Sequence, residues 1–270
     1  IACTDPNPLV AGKGIKILTQ AGVEVQLGLL QAQAEKLNRA FFHRLTHKKP
    51  FVTVKLAASL DGKTALANGE SKWITSPEAR ADVQLERARA CAILTGADTV
   101  LADDPQLNVR IQELPKHAVE GFLWRQKQPL RVVLDSKNRL TSEYQMIKDE
   151  HPALVYNRDF NVSIGQGKTE QVQLSKLNSQ GQVDLEAVLD DLAQKEINHL
   201  WVEAGASLSG ALFDANLVDQ LILYQAPKLL GATARGLSNL RSPMDLSQVL
   251  SGRITKVQTI GPDLKVIIDF

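Results

Sequence analysis

Short apolar runs alternate with amphipathic stretches along most of this chain. Runs of about four to eight apolar residues are typical of buried strands, whereas apolar spacings of about three and four are typical of helices. The pattern predicts strands over residues 51–58, 92–95, 131–135, 153–156, 170–174, 199–203, 220–224, 254–260 and 264–270. We therefore expect a three-layer α/β fold around a mixed, mostly parallel sheet with an antiparallel C-terminal edge.

The same reasoning predicts helices, of which the one that begins near Ser76 has the strongest start signal. Ser76 or Thr75 suits the cap position, Pro77 the first helical position and Glu78 the positive end of the helix. Helices are predicted over 13–20, from about 30 to 47, from 77 to about 89, over 183–197, and from 205 to about 216. A short strand over 23–26, a turn over 96–101 and an irregular excursion over 111–130 are also expected.

Composition narrows the classes of function. The chain has 270 residues, 44% of them hydrophobic and 23% charged, which predicts one large domain or one domain plus a fragment. A net charge of +1 gives no reason to expect nucleic acid or membrane as a partner. The two cysteines, Cys3 and Cys91, lie far apart, so we expect no disulfide framework and a reducing, cytoplasmic setting. The five histidines have no metal-ligand spacing, and we expect no metal site.

Three short glycine motifs resemble nucleotide-binding signatures but lack a required residue. Gly62-Lys63-Thr64 would need a glycine at Ala57 to form a P-loop, and Gly167-Lys168-Thr169 would need one at Val162. The Gly12-Lys13-Gly14 segment lacks the third glycine of a dinucleotide fingerprint. A nicotinamide cofactor would therefore not bind here in the usual doubly wound way.

Polar and charged residues gather where the predicted strands end. Lys55 lies inside the first strand, where a lysine must be paired, neutralised or extended to the surface. Glu203 ends a later strand, and the small residues after it open a helix whose free N–H groups suit a phosphate. This arrangement predicts a ligand-binding edge of an α/β sheet.

Five long segments carry a resemblance to a known family. The runs KLAASLDGKTALANGESKWITSPEAR, ILTGADTVLADDPQLNVR, VVLDS, VEAGASLSGALF and APKLLG follow one another over about residues 51–270. In this order they resemble the reductase half of the bifunctional pyrimidine deaminase/reductase of riboflavin biosynthesis. The resemblance implies a dihydrofolate-reductase-like fold and NADPH-dependent reduction of the ribosyl group of 5-amino-6-(5-phosphoribosylamino)uracil to a ribityl chain.

The resemblance also implies a division of the chain. Residues 1–48 are similar to the C-terminal end of a cytidine-deaminase-like domain with its linker, and residues 49–270 to the reductase domain. A first helix that packs on the main domain is an equally good interpretation of the early residues. The zinc-binding deaminase signature is absent from these residues, so we expect no deaminase activity from them, and zinc only in a deaminase domain. The family further implies a homodimer.

Site residues follow position by position from the resemblance. The implied substrate contacts are Ser71, Arg87, Leu107, Arg110 and Glu203. The implied cofactor contacts are Ala57, Trp73, Thr99, Asp103, Ser136, Gly205, Ala206, Ser207, Leu208, Ser209, Gly210 and Ala211. Serine and arginine suit a sugar phosphate, and Lys55 and Glu203 are the candidate catalytic residues that polarise the substrate or relay a proton. Reduction of another pterin or pyrimidine, or a non-catalytic cofactor-binding fragment, are the alternatives.

Overall fold

The computed structural model describes residues 1–125, 127–159 and 168–270. Val162 and Gly167, from one of the rejected glycine motifs, lie outside these residues. The strands are β1 Phe51–Ser59, β2 Lys63–Ala65, β3 Ala92–Gly96, β4 Leu130–Leu134, β5 Ala153–Asn157, β6 Thr169–Gln173, β7 His199–Glu203, β8 Gln220–Ala226, β9 Arg235–Gly236, β10 Arg253–Ile260 and β11 Asp263–Asp269. The helices are α1 Lys13–Gln20, α2 Gln31–Leu37, α3 Arg39–His47, α4 Pro77–Arg89, α5 Ala97–Asp103, α6 Lys116–Arg125, α7 Gln145–Lys148, α8 Leu185–Gln194 and α9 Ala206–Asp214.

Nine of these strands form one mixed sheet in the order β10-β11-β8-β1-β7-β3-β4-β5-β6. The pairs β1–β8, β7–β3, β3–β4, β4–β5 and β5–β6 are parallel. Strand β11 is antiparallel to both β8 and β10. The mostly parallel sheet with an antiparallel C-terminal edge is confirmed, and the carboxyl ends of β7, β3 and β4 meet at one edge. Two short strands, β2 and β9, form a separate antiparallel pair that the sequence pattern did not predict.

The chain divides into two compact units. The first comprises residues 1–51 and 189–199, and the second residues 52–188 and 200–270. In the first unit the rings of His43 and His47 stack at 4.3 Å between centroids, and Phe51 meets His43 edge-on at 5.6 Å. In the second unit a buried cluster surrounds Trp201 and Tyr224, both fully buried.

Two predictions about the first unit are wrong. The single helix expected from about residue 30 is divided at Asn38 into α2 and α3. The Asn38 side chain donates to the carbonyl of Ala34, which also accepts from the Asn38 backbone N–H. Residues 23–26 form no strand; instead the amino terminus of Ile1 donates to the carbonyl of Gln26 at 2.8 Å. Apolar spacing cannot detect either contact, since both depend on individual polar groups.

Two predictions about the second unit also need correction. The turn expected over residues 96–101 is helix α5, which begins after an extended Gly96 and ends at Asp104 in the left-handed region at φ 42°. The excursion expected over 111–130 contains α6.

The predicted start of α4 is confirmed, since Ser76 Oγ accepts from the N–H of Ala79 at 3.2 Å. None of the helices within the described residues has the length and apolar character needed to cross a membrane.

Candidate active site

Lys55 lies in the middle of β1, whose other residues are mostly buried. Its side chain is partly buried, and no hydrogen bond or ion pair to its ammonium group is found among the described residues. Burial lowers the pKa of Lys55, the nearby Glu203 carboxylate opposes that shift, and Arg87 adds to it. A lysine in this environment releases its proton more readily than a solvated lysine.

Glu203, at the carboxyl end of β7, lies in a network of donors. Arg87 Nε donates to Oε1 at 2.6 Å and Arg87 Nη2 to Oε2 at 2.9 Å, and the indole N–H of Trp201 donates to Oε1 at 2.8 Å. Burial raises the pKa of this carboxyl, but the charge and hydrogen bonds of Arg87, the charge of Lys55 and the Trp201 hydrogen bond lower it to about 2. Glu203 is therefore a carboxylate at every pH at which the protein is expected to work.

Arg87 is itself buried, with 8% of its surface exposed. In addition to its two bonds to Glu203, its Nη1 donates to the carbonyl of Asn108 at 2.9 Å. Burial lowers its pKa, but the charge and hydrogen bond of Glu203 outweigh that effect and raise it. These three hydrogen bonds use three of the five N–H donors of the Arg87 guanidinium group. The predicted contact of Arg87 with a substrate phosphate stays a prediction.

The loop between α5 and Arg110 is held by buried and partly buried side chains that the sequence did not single out. Gln84 Oε1 accepts from the N–H of Arg110 at 3.0 Å, and Gln128 Oε1 accepts from the N–H of Val109 at 2.8 Å. Arg131 is fully buried in β4, where it binds both carboxylate oxygens of Asp149 and donates to the carbonyl of Gln106. These contacts fix the backbone that presents Leu107 and Arg110.

Leu107 and Arg110, both predicted substrate contacts, occupy different environments. Leu107 is buried in the core of the second unit and has a φ of 48°. The Arg110 guanidinium is partly exposed and binds both oxygens of Glu113, with Nε–Oε1 at 2.5 Å and Nη2–Oε2 at 2.9 Å. Ser71, which was predicted to bind the substrate phosphate together with Arg87 and Arg110, is exposed.

Trp73 and Asp103, two predicted cofactor contacts, lie on the surface. Trp73 is 63% exposed, and the guanidinium carbon of Arg80 lies 4.4 Å from the centroid of its ring. Asp103, at the C-terminal end of α5, forms an ion pair with Lys72 at 2.7 Å. Because Lys72 immediately precedes Trp73, this ion pair brings the two predicted cofactor contacts together. Neither Lys72 nor Arg80 was assigned a role from the sequence.

The start of α9 contains seven of the predicted cofactor contacts. Gly205 occupies the cap position in an extended conformation and supplies no side-chain cap to the first N–H groups of the helix. The backbone N–H of Asn239 donates to the carbonyl of Ala206, and its side-chain amide donates to Ser207 Oγ at 3.1 Å. A Cβ atom at Gly210 would lie 2.3 Å from the carbonyl oxygen of Asn239. Glycine at this position therefore allows the segment around Asn239 to approach the helix.

The remaining predicted contacts lie near the same sheet. Ala57 in β1 packs on the buried cluster, and Thr99 is partly buried in α5. Ser136, which follows β4, accepts from the N–H of Val183 through its Oγ at 3.0 Å. In the part of the chain that the structure describes, no group of three His, Cys, Asp or Glu side chains could hold a metal ion. The sequence analysis did not identify Asn239. Its partners in α9 lie about thirty residues earlier in the chain, and no periodicity of the sequence predicts a contact over that distance.

Comparison with models of known protein families identifies the family to which this chain belongs. A model of the RibD C-terminal domain matches residues 50–266. The chain belongs to the RibD C-terminal domain family. Riboflavin biosynthesis protein RibD of Haemophilus influenzae is 45% identical over 268 residues, which is 98% of this chain and 70% of that protein. The resemblance identified from the sequence segments is thereby confirmed.

Two further relatives are similar to this chain over most of its length. A protein named 5-amino-6-(5-phosphoribosylamino)uracil reductase, from Buchnera aphidicola subsp. Acyrthosiphon pisum, is 38% identical over 75% of this chain and 98% of its own length. The solved structure of Acinetobacter baumannii RibD, form 1, is 37% identical and superposes with a TM-score of 0.86, covering 99% of this chain and 71% of that one. The fold is the mixed, dihydrofolate-reductase-like fold expected for this family.

Proposed function

We propose that this protein reduces the ribosyl group of 5-amino-6-(5-phosphoribosylamino)uracil to the ribityl product in riboflavin biosynthesis, with NADPH as reductant. The observation that carries the proposal is that Lys55 and Glu203 lie close enough, near the carboxyl edge of the sheet of a RibD C-terminal domain, for the charge of each to act on the other. Each of these two groups has a shifted pKa with an identifiable physical cause, which is typical of a reaction centre.

The residues at the start of α9 fit a phosphate-bearing cofactor. The segment from Gly205 to Ala211 contains small side chains, and the first N–H groups of a helix have no partner within the helix. We infer that these N–H groups bind the cofactor pyrophosphate and that Trp73, Thr99, Asp103, Ala57 and Ser136 hold the rest of the molecule. When bound there, NADPH supplies the hydride.

The role of the protein side chains follows from their protonation states. Reduction of the cyclic ribosylamine opens the ring: the C1′–O4′ bond breaks, C1′ gains a hydride, and O4′ gains a proton. Lys55 is the proton donor in this proposal, because its ammonium group has a lowered pKa and no other partner among the described residues. Glu203 stays ionised, so it acts as a hydrogen-bond acceptor and stabilises positive charge that develops near C1′.

The remaining expectations stay proposals. We infer that Ser71, Arg87, Leu107 and Arg110 contact the substrate together with Glu203. We also infer that residues 1–48 are the end of a deaminase-like domain with its linker. A homodimer, a cytoplasmic location and a zinc-dependent deaminase in the parent protein are inferences from the family.

The test is an assay of NADPH oxidation with the deaminated pyrimidine substrate. Turnover, with formation of the ribityl product by mass spectrometry, is the expected result, and NADH in place of NADPH measures the cofactor preference. Turnover of a pterin instead of this substrate would change the assigned substrate. Absence of any turnover by folded protein that binds NADPH would overturn the assignment as a reductase.

A further inference from the structure

The indole of Trp201 is hydrogen-bonded to Glu203 from within the core. The two residues are two positions apart in β7, so their side chains leave the strand on the same face. Trp201 is fully buried in a cluster that also contains Val83 and Ile93. Its Nε1–H group donates to Oε1 of Glu203 at 2.8 Å. Because the ring is packed on all sides, the direction of this hydrogen bond is fixed.

The carboxylate of Glu203 keeps one acceptor position for a ligand. A carboxylate has about four lone-pair positions, two on each oxygen. Oε1 accepts from Arg87 Nε at 2.6 Å and from Trp201, whereas Oε2 accepts from Arg87 Nη2 at 2.9 Å. No further donor to Oε2 is found in the described part of the chain. Oε2 is therefore the oxygen that can accept from a ligand.

Trp201 decides which of the two oxygens stays open. The guanidinium fork of Arg87 gives one hydrogen bond to each oxygen, so by itself it leaves a position open on both. The Trp201 N–H group fills the second position on Oε1. Without this donor the carboxylate would offer two open positions that point in different directions. With it, Glu203 offers a single one.

The choice of acceptor distinguishes this contact from ordinary core packing. A buried indole N–H needs an acceptor, and a backbone carbonyl would meet that need. In this protein the acceptor is an ionised side chain that the family resemblance places against the substrate. The hydrogen bond is therefore charge-assisted, and it is one of the effects that lower the pKa of Glu203.

We propose that Trp201 is a positioning residue for the reduction: its N–H group holds Oε1, so that Glu203 presents only Oε2 to a donor of the substrate. This inference rests on the proposed function for the identity of the substrate, and it gives Trp201 a role that the family resemblance does not imply. The donor on the substrate is an N–H or O–H group, because a carboxylate only accepts. A carboxylate held in this way selects a donor by its direction and loses little freedom on binding.

A double-mutant cycle tests whether Trp201 acts through Glu203. The variants are Trp201→Phe, Glu203→Met and their combination, and calorimetry measures binding of the substrate without NADPH. Trp201→Phe removes the N–H group and keeps an aromatic ring. We expect it to raise the substrate Kd about 3- to 10-fold and to lower kcat about 10-fold, with NADPH binding unchanged. In the Glu203→Met background the same change should alter the substrate Kd less than about 1.5-fold.

Hydrogen exchange followed by NMR tests the contact itself. Each of the three tryptophans gives one indole N–H signal in a proton–nitrogen correlation spectrum. Trp73 and Trp124 are 63% and 82% exposed, so the signal that persists in deuterium oxide should belong to Trp201. This signal should move upfield in Glu203→Gln, in which the acceptor is neutral. It should stay protected when wild type is saturated with substrate, because the substrate uses Oε2.

The control for a general loss of stability is Val155→Ala. Val155 is fully buried in β5, which lies three strands away from β7 in the sheet. Its truncation should lower the melting temperature and leave the substrate Kd unchanged. If Glu203→Met does not fold, Glu203→Gln replaces it in the cycle, and the effect of Trp201→Phe should then be smaller than in wild type.

The possible results separate this inference from the proposed function. An equal effect of Trp201→Phe in both backgrounds would show that Trp201 is a core residue only, and its positioning role would be wrong. Loss of protection of the Trp201 signal on substrate binding would overturn the assignment of Oε2. If the expected coupling is seen in substrate binding but wild type shows no turnover, the positioning of Glu203 stands and the reductase assignment fails. If wild type binds no substrate, the proposed function fails, and the comparison with Glu203→Gln still decides whether Trp201 holds Oε1.

Discussion

The guanidinium group of Arg87, in α4, binds the carboxylate of Glu203, at the end of β7, through two parallel hydrogen bonds of 2.6 and 2.9 Å. The two residues lie 116 positions apart in sequence, and only 10% and 14% of their side chains are exposed. This pair joins helix α4 to the carboxyl end of β7. It also keeps Glu203 ionised, and for this reason the proposed reaction uses Lys55 as the proton donor.

Arg87→Met should destabilise the protein strongly. Removing one partner leaves the Glu203 carboxylate buried without its main counter-charge, which costs about 3–5 kcal/mol. Urea denaturation measures the change in the free energy of unfolding. Arg158→Gln is the control, because Arg158 forms an exposed ion pair with Asp159 and should change stability by less than about 1 kcal/mol. Equal losses in the two variants would contradict the structural role of Arg87.

The Glu203 carboxyl should also contribute to acid sensitivity. Its pKa falls from an ordinary 4.5 to about 2 on folding, so the folded state holds this proton more weakly than the unfolded state. The resulting stabilisation, about 3 kcal/mol, is fully present above pH 4.5 and is lost as the pH falls towards 2. Denaturation at a series of pH values measures it. Glu203→Gln should show a flatter dependence in that window, and an unchanged slope would argue against the low pKa.

Lys55→Met should remove the proton donor. We expect kcat to fall about 10²- to 10⁴-fold, with NADPH binding measured by fluorescence unchanged. In wild type, kcat should decline as the pH rises through the pKa of Lys55, which lies below the ordinary 10.5. Lys55→Arg should shift that decline to higher pH in whatever activity remains. Lys63→Met, in the short strand β2, is the control and should leave kcat and its pH profile unchanged.

Gly210→Ala should separate α9 from the segment around Asn239. The new Cβ would lie 2.3 Å from a backbone oxygen that cannot rotate away, so one of the two segments must shift. We expect a loss of about 1–3 kcal/mol in stability and weaker NADPH binding. Gly121→Ala, in the exposed part of α6 with no atom within 4 Å of the new Cβ, should instead stabilise the protein by about 0.5–1 kcal/mol. Similar melting temperatures for both variants would contradict the close approach at Gly210.

Lys265→Met should break a buried charge cluster that attaches α4 to β11. Lys265 is 4% exposed and binds Asp82 at 2.6 Å and Glu86 at 2.7 Å. Its loss leaves two carboxylates without their shared cation, at a cost of about 3–5 kcal/mol. Lys176→Met removes an exposed lysine that pairs with Asp184 and should cost less than about 1 kcal/mol in the same denaturation experiment. A small effect of Lys265→Met would show that the cluster is not stabilised by this lysine.

Much of the fold was predictable because its signals are local. The apolar run over 51–58, the cap at Ser76 and the turn over residues 261–263 each depend on neighbouring residues, and each corresponds to an element of the structure. The elements that the pattern missed, such as α5 and the break at Asn38, depend on single backbone or side-chain contacts. The antiparallel edge followed from two strands joined by a short turn.

The sequence alone determined the family, the order of the main elements and the set of candidate site residues, because long matching segments and local periodicity are properties of the chain itself. The tertiary structure alone decided which charges meet. It paired Arg87 with Glu203, placed Arg80 beside Trp73 and brought Asn239 to α9. These partners come from distant or separately folded segments, and no local pattern specifies which of several arginines faces a carboxylate and which stays available to a ligand.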